Sequence, residues 1–114
     1  MLIIVIIIGV QFIKPNKNTS DDQSKSILVN FPMDDKVKRV FETACFDCHS
    51  NKTTYPWYAN IQPVASFINH HIEEGKEHLN YSNFINMSLA KQYHKLEETA
   101  EVVEKNEMPL SSYT

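Results

Sequence analysis

Glycine is scarce in this chain, with two residues in 114. Turn-rich β folds need many such punctuators, so a β-sandwich is argued against and helices are expected. Cysteine is equally scarce, at two residues. A structural zinc site normally takes four protein ligands, and two thiols alone cannot supply them. Excess positive charge is missing as well. Eleven basic side chains face fourteen acidic ones, for a net charge of −3 and a pI near 5.9. No nucleic-acid partner is indicated. No apolar run reaches membrane-spanning length: Leu2 to Ile13 covers about 18 Å as a helix, against a hydrocarbon core of about 30 Å. The length allows one domain at most. If its first thirty residues stay outside the core, residues 31–114 are a small unit, of the kind that often needs a staple.

Both cysteines lie in one stretch, Cys45-Phe46-Asp47-Cys48-His49. Two thiols three residues apart, followed directly by histidine, are the attachment signature of a c-type haem. On one helical turn Cys45 and Cys48 project from the same side and can form thioethers to one porphyrin edge. His49 then follows at the helix end as proximal iron ligand. A buried haem would also supply the apolar mass that so small a unit lacks. Two other readings compete. A redox dithiol or disulfide should follow a strand in a βαβ unit, and none is visible. Zinc would need Cys45, Cys48 and one or two of His49, His70, His71, His78 and His94, which have no finger-like spacing.

Residues 1–13 read as an N-terminal hydrophobic signal or anchor segment. It lacks a basic start and a small-residue cleavage site, so the natural N-terminal part is expected to be incomplete. The other reading of an Ile- and Val-rich run is a buried strand. Lys14 and Lys17 stand on the wrong side for an outward-facing domain under the positive-inside rule. Residues 14–30 read as a flexible linker, rich in turn and coil formers with almost nothing to bury.

Three main helices are expected in residues 31–114. The first starts at Asp34 or Asp35 as cap and places Val37, Val40, Phe41, Ala44, Cys45 and Cys48 on one face. The second opens at Pro63 and closes at Gly75 as C-terminal cap, with Val64, Phe67, Ile68, His71 and Ile72 on its apolar face. His78 follows in a polar turn expected to face solvent. The third runs from Ser88 to about Lys105 with a stripe of Leu89, Tyr93, Leu96, Ala100 and Val103. Its glutamates form a solvated face with no paired catalytic acid. Between the first two helices, Tyr55, Trp57 and Tyr58 bring apolar area with polar tips, suited to walling a porphyrin or to ordinary loop packing. Asn106 and Pro109 end the third helix and leave Met108 in a loop. Met108 suits the opposite haem face as sixth ligand, with His71 as the alternative; as plain core residues, Met108 is a flexible filler and His71 a satisfied histidine.

Taken together, these residues resemble the bacterial c-type haem-binding domain family. The resemblance rests on Cys45 to Asn51 (C-x-x-C-H-S-N), Tyr55 to Tyr58 (Y-P-W-Y), Ile61 with Pro63, His71 with Gly75, Leu79 to Ser82, and Met108-Pro109. It covers residues 31–114. It implies haem c, one per chain, held by Cys45 and Cys48 with His49 proximal, in an exported and often membrane-tethered protein. Family members usually continue past the methionine loop into a further helix, whereas this sequence stops at Thr114.

The expectation is therefore an all-α, cytochrome c-like domain that carries single electrons on the outward face of the cytoplasmic membrane or in the periplasm. A haem sensor or peroxidase-like protein with an open sixth position is the rival from another class, and a structural zinc or disulfide module the third. The sequence names no redox partner and fixes no oligomeric state.

Overall fold

The structure, a computed structural model, describes residues 1–111. The last residues of the expected 31–114 unit fall outside that range. The all-α expectation holds: the described residues form helices and turns with no named strand. In chain order these are α1 (Leu2–Val10), α2 (Ile27–Asn30), α3 (Asp35–Val40), a π-helical turn (Phe41–Cys45), α4 (Phe46–His49), a 3₁₀ helix (Trp57–Asn60), α5 (Val64–His78), a second 3₁₀ helix (Tyr81–Asn86) and α6 (Leu89–Glu104).

The expected first helix is present from Asp35 to His49, but in three parts. Asp34 caps it, its carboxylate accepting from the Lys36 N–H at 2.8 Å. The π turn then adds one residue to the ladder and rotates everything after it. This turn corrects the expected face. Val37 and Val40 are exposed, while Phe41, Cys45 and Phe46 pack against the core. That core is Ile27, Tyr81 and Phe84, ringed by Phe31, Phe41, Phe46, Leu79, Met87 and Leu96 among others. Tyr81 is its hub. Its ring meets Phe41 edge-on at 5.0 Å, stacks on Phe46 at 5.9 Å and on Phe84 at 6.2 Å.

Residues 14–30 are not a free tether. Ile27 is 2% exposed in the core, and Ser26 caps α2 from a fully buried position. Thr53 N–H donates to the Asn18 carbonyl and Ser20 N–H to the Asn51 carbonyl, with Thr19 bridged to Lys52 between them. Asn18 also donates its amide to the Ser50 carbonyl at 2.7 Å and accepts from Lys76 at 2.7 Å. The polar residues that read as coil formers spend their hydrogen bonds on the loop after His49.

α5 begins after Pro63 as expected, but it runs through Gly75 to His78. Gly75 is therefore no cap. α4 packs directly on α5, and a β-carbon on Gly75 would collide with Cys48. α6 starts at its expected cap, with Ser88 accepting from Lys91 N–H. Its inward face differs from the expected stripe. Gln92 is buried and donates to the Met87 carbonyl, Leu96 packs on the core, and Thr99 meets the Tyr81 hydroxyl. Leu89, Tyr93 and Val103 are exposed. Leu96 is the residue of the expected stripe that packs on the core, and polar partners complete this face.

α1 stands away from the core, with its side chains exposed from Leu2 to Gly9 and only Val10 partly covered. No helix among the described residues is long and apolar enough to cross a membrane.

Candidate functional site

The π turn and α4 deliver Cys45, Cys48 and His49 to a hollow between α5, α6 and the segment 106–110. Two adjoining cavities occupy it. The first, about 450 Å³, is bounded by Val40, Cys45, Tyr81, the second half of α6 from Lys95 to Val103, and Lys105 just past its end. The second, about 520 Å³, is bounded by Cys48, His71, Glu74 and Gly75 of α5 and by Leu110. Ala44, His49, His78, Met108 and Pro109 line both. Each cavity thus holds one thiol, and the wall they share carries His49 and Met108. Their volumes suit a small organic group with an apolar lining and few polar contacts.

His49 is held in a defined state. Its Nδ1 lies 2.9 Å from the Leu79 carbonyl oxygen. A carbonyl only accepts, so Nδ1 carries a proton, and in the neutral ring the lone pair lies on Nε2. A neutral imidazole with Nδ1–H on a backbone carbonyl is the form that ligates a metal. Tyr81 packs edge-on beside the His49 ring at 6.1 Å, and its hydroxyl hydrogen-bonds the Thr99 hydroxyl at 2.8 Å. Burial pushes the Tyr81 phenol up to about 12, the Thr99 contact opposing it.

Burial likewise pushes the Cys45 thiol up. The Cys48 thiol rises for the same cause, with the Asp47 carboxylate adding to it. Both are therefore protonated at neutral pH, the reverse of the depressed thiols of a redox dithiol. Among the described residues no group of three His, Cys, Asp or Glu side chains is placed to hold a metal ion.

The block after His49 fixes the motif from behind. Ser50 is fully buried and its hydroxyl lies 2.7 Å from the Phe46 carbonyl. Asn51 N–H donates to the Ser82 hydroxyl at 3.0 Å, and Asn51 accepts from the Asn80 amide at 2.7 Å. Thr54 N–H donates to the Asp47 carboxylate at 2.9 Å.

A family model described as a haem-binding domain matches residues 5–114. The chain belongs to that haem-binding domain family. No curated protein and no solved structure matches it significantly. The residues of this haem-binding domain fit the group. Two thiols open onto adjoining cavities, an imidazole has one nitrogen already committed to a carbonyl, and a thioether lies on the same wall.

The other expected site residues sort differently. Tyr55, Trp57 and Tyr58 line neither cavity. Tyr55 accepts from the Asn18 N–H at 2.8 Å on the far side of α5's start, and Trp57 is 76% exposed. They do not wall the site, because the 3₁₀ helix carrying Trp57 and Tyr58 packs on α5's N-terminal end rather than over α4. His71 reaches only the second cavity, its ring edge-on to Phe67 at 4.5 Å. His70 and His94 pair with Glu74 and Glu98 on the surface. Three contributors escaped the sequence reading. His78, exposed as expected, also lines the shared wall, Tyr81 buttresses His49, and the Leu79 carbonyl sets the imidazole. A carbonyl acceptor leaves no sequence signal; Tyr81 lay inside the resemblance block Leu79 to Ser82.

Proposed function

We propose that this haem-binding domain is a c-type cytochrome that carries single electrons in the cell envelope, tethered there by its apolar N-terminal segment. The observation that carries this reading is His49: its imidazole is locked by the Leu79 carbonyl on the wall shared by the cavities that hold Cys45 and Cys48. Cys45 and Cys48 would hold the haem by thioethers, and His49 would offer Nε2 to the iron. Bound haem iron supplies the one-electron ferrous–ferric couple. Met108 would supply the second ligand, and a thioether in that role favours the ferrous state. The Tyr81 ring keeps the His49 plane fixed. Lys95 and Lys105, paired with Glu98 and Glu101 at the first cavity, place cations where haem carboxylates can reach them.

A sensor or peroxidase-like protein is the second reading. Met108 is 38% exposed and sits in a loop, so its hold on a sixth position can be weak.

The deciding experiment is an optical spectrum of protein co-expressed with haem-attachment machinery. A c-type spectrum that survives denaturing extraction, with a sulfur-to-iron charge-transfer band when oxidised, supports the electron carrier. Covalent haem that is high-spin and binds carbon monoxide readily supports the sensor. Absence of covalent haem overturns both c-type readings.

A further inference from the structure

The Tyr-Pro-Trp-Tyr block has no part in the cavities, yet its aromatics are held in place. Trp57 packs edge-on against Tyr58 at 5.7 Å, Trp57 76% and Tyr58 46% exposed. Ile61, Val64 and Phe67 continue the exposed apolar surface, the last two one turn apart on α5. This surface is joined to the root of α1 by specific hydrogen bonds. The Gln11 side chain accepts from the Gln62 N–H at 3.0 Å and donates to the Gln62 carbonyl at 3.3 Å. The Gln62 side chain in turn donates to the Ile13 carbonyl at 2.6 Å, and Gln62 itself is buried. Ile61 is thus fixed next to the point where the apolar helix ends. Two cations share this end: Lys14, and Lys17, which donates to Asn60 at 2.7 Å and lies 5.2 Å above the Tyr55 ring. α5 is polarised in the same sense. Its first half exposes Val64 and Phe67, and its second half exposes Glu73, Glu74 and Glu77.

We infer that this face, centred on Trp57, Tyr58, Ile61 and Phe67, docks the domain on an anionic lipid bilayer beside α1. Aromatic rings with polar tips settle at the headgroup level, and flanking lysines are drawn to anionic lipid. The inference rests on the reading of α1 as a membrane anchor. It adds an orientation to it, because Phe67 packs on His71, which lines the second cavity. The His71 edge of that cavity is then the part nearer the membrane plane, and its Glu74 to His78 edge points away from it.

Trp57 is the chain's single tryptophan and reports on this face alone. The full haem-loaded chain is mixed with phosphatidylcholine vesicles containing phosphatidylglycerol, with plain or brominated acyl chains. The expected result is sedimentation with the vesicles and loss of Trp57 emission in brominated relative to plain lipid. Hydrogen-exchange protection over residues 57–67 should appear with it, and the Ile61→Ser/Phe67→Ser double variant should lose both signals while still sedimenting. Sedimentation without quenching or protection overturns the docking face and leaves the α1 anchor standing. Failure to sediment overturns the anchor and the face together. Protection that appears on concentrating the protein without lipid overturns the proposal in favour of contact between copies.

Discussion

A β-carbon built on Gly75 would stand 2.5 Å from the carbonyl oxygen of Cys48 and 3.2 Å from its β-carbon. α5 and the helix that carries the two thiols therefore touch backbone to backbone, and only glycine allows it. Gly75→Ala should force the two helices apart. Overpacking of this kind costs about 1–3 kcal/mol, partly offset by the roughly 1 kcal/mol better helix propensity of alanine. The net expectation is a lower urea midpoint and a lower yield of covalent haem, since Cys48 moves with its backbone. A Gly75→Ala protein as stable as the parent would refute the close approach.

The same residue shows what a sequence can and cannot convey. Its position after an apolar stripe is the ordinary signal of a helix end, and nothing local says that another helix passes within contact. The starts of all three main helices were legible, since Asp34, Pro63 and Ser88 act through neighbours a few residues away. The thiol–thiol–histidine cluster was legible for the same reason. Long-range partners were not. The inward face of α6 joins Gln92 and Thr99, which reach Met87 and Tyr81, to Leu96, the one residue of the expected stripe that packs on the core, so an apolar count found only part of that face. Ile27 opens a short apolar run, Ile27 to Val29, at the end of a polar segment, and only the fold reveals that it fills the core.

Ile27→Ala tests whether residues 14–30 belong to the folded unit. Ile27 is almost fully buried against Tyr81 and Phe84, and truncating such a residue costs about 2–5 kcal/mol. Val29, two residues on, is exposed, and Val29→Ala should change stability by no more than about 0.5 kcal/mol. Urea unfolding of the pair gives the contrast directly. Equal, small effects would return this segment to the status of a tether.

Tyr81 should impose an alkaline limit on stability. Its phenol titrates at 10.0 when unfolded and is held up to about 12 in the fold, chiefly by burial. Below 10.0 both states keep the proton and this group adds no pH dependence. Between 10.0 and about 12 the unfolded chain loses the proton first, so stability falls as pH rises. Tyr81→Phe keeps the ring but removes the titration. Thr99 still donates to the Lys95 carbonyl at 2.7 Å, so the variant should lose only about 0.5–1.5 kcal/mol at neutral pH. The difference between parent and variant should shrink or reverse as pH rises through that window. A constant difference would show that Tyr81 ionises without cost inside the fold.

Asn106 governs where Met108 goes. It is the one non-glycine residue with positive φ among those described, at 58°, and it reverses the chain immediately after α6. Beyond it, the Glu107 and Met108 N–H groups both donate back to the Val102 carbonyl, at 2.8 and 3.2 Å. The methionine is thereby folded onto the last turn of α6, where it lines both cavities with His49. Asparagine accepts this left-handed conformation, glycine accepts it freely, and a β-branched residue resists it by about 1–2 kcal/mol. Asn106→Gly should therefore leave the spectrum of the haem-loaded protein unchanged. Asn106→Val should weaken the sulfur-to-iron band and raise carbon monoxide affinity, with both thioethers intact, because the turn sets only the distal side. If Met108→Ala abolishes that band while Asn106→Val leaves it untouched, Met108 finds the iron without help from the turn. If neither variant alters ligation and His71→Ala does, the sixth ligand is on α5, and the wall shared by the two cavities serves His49 alone.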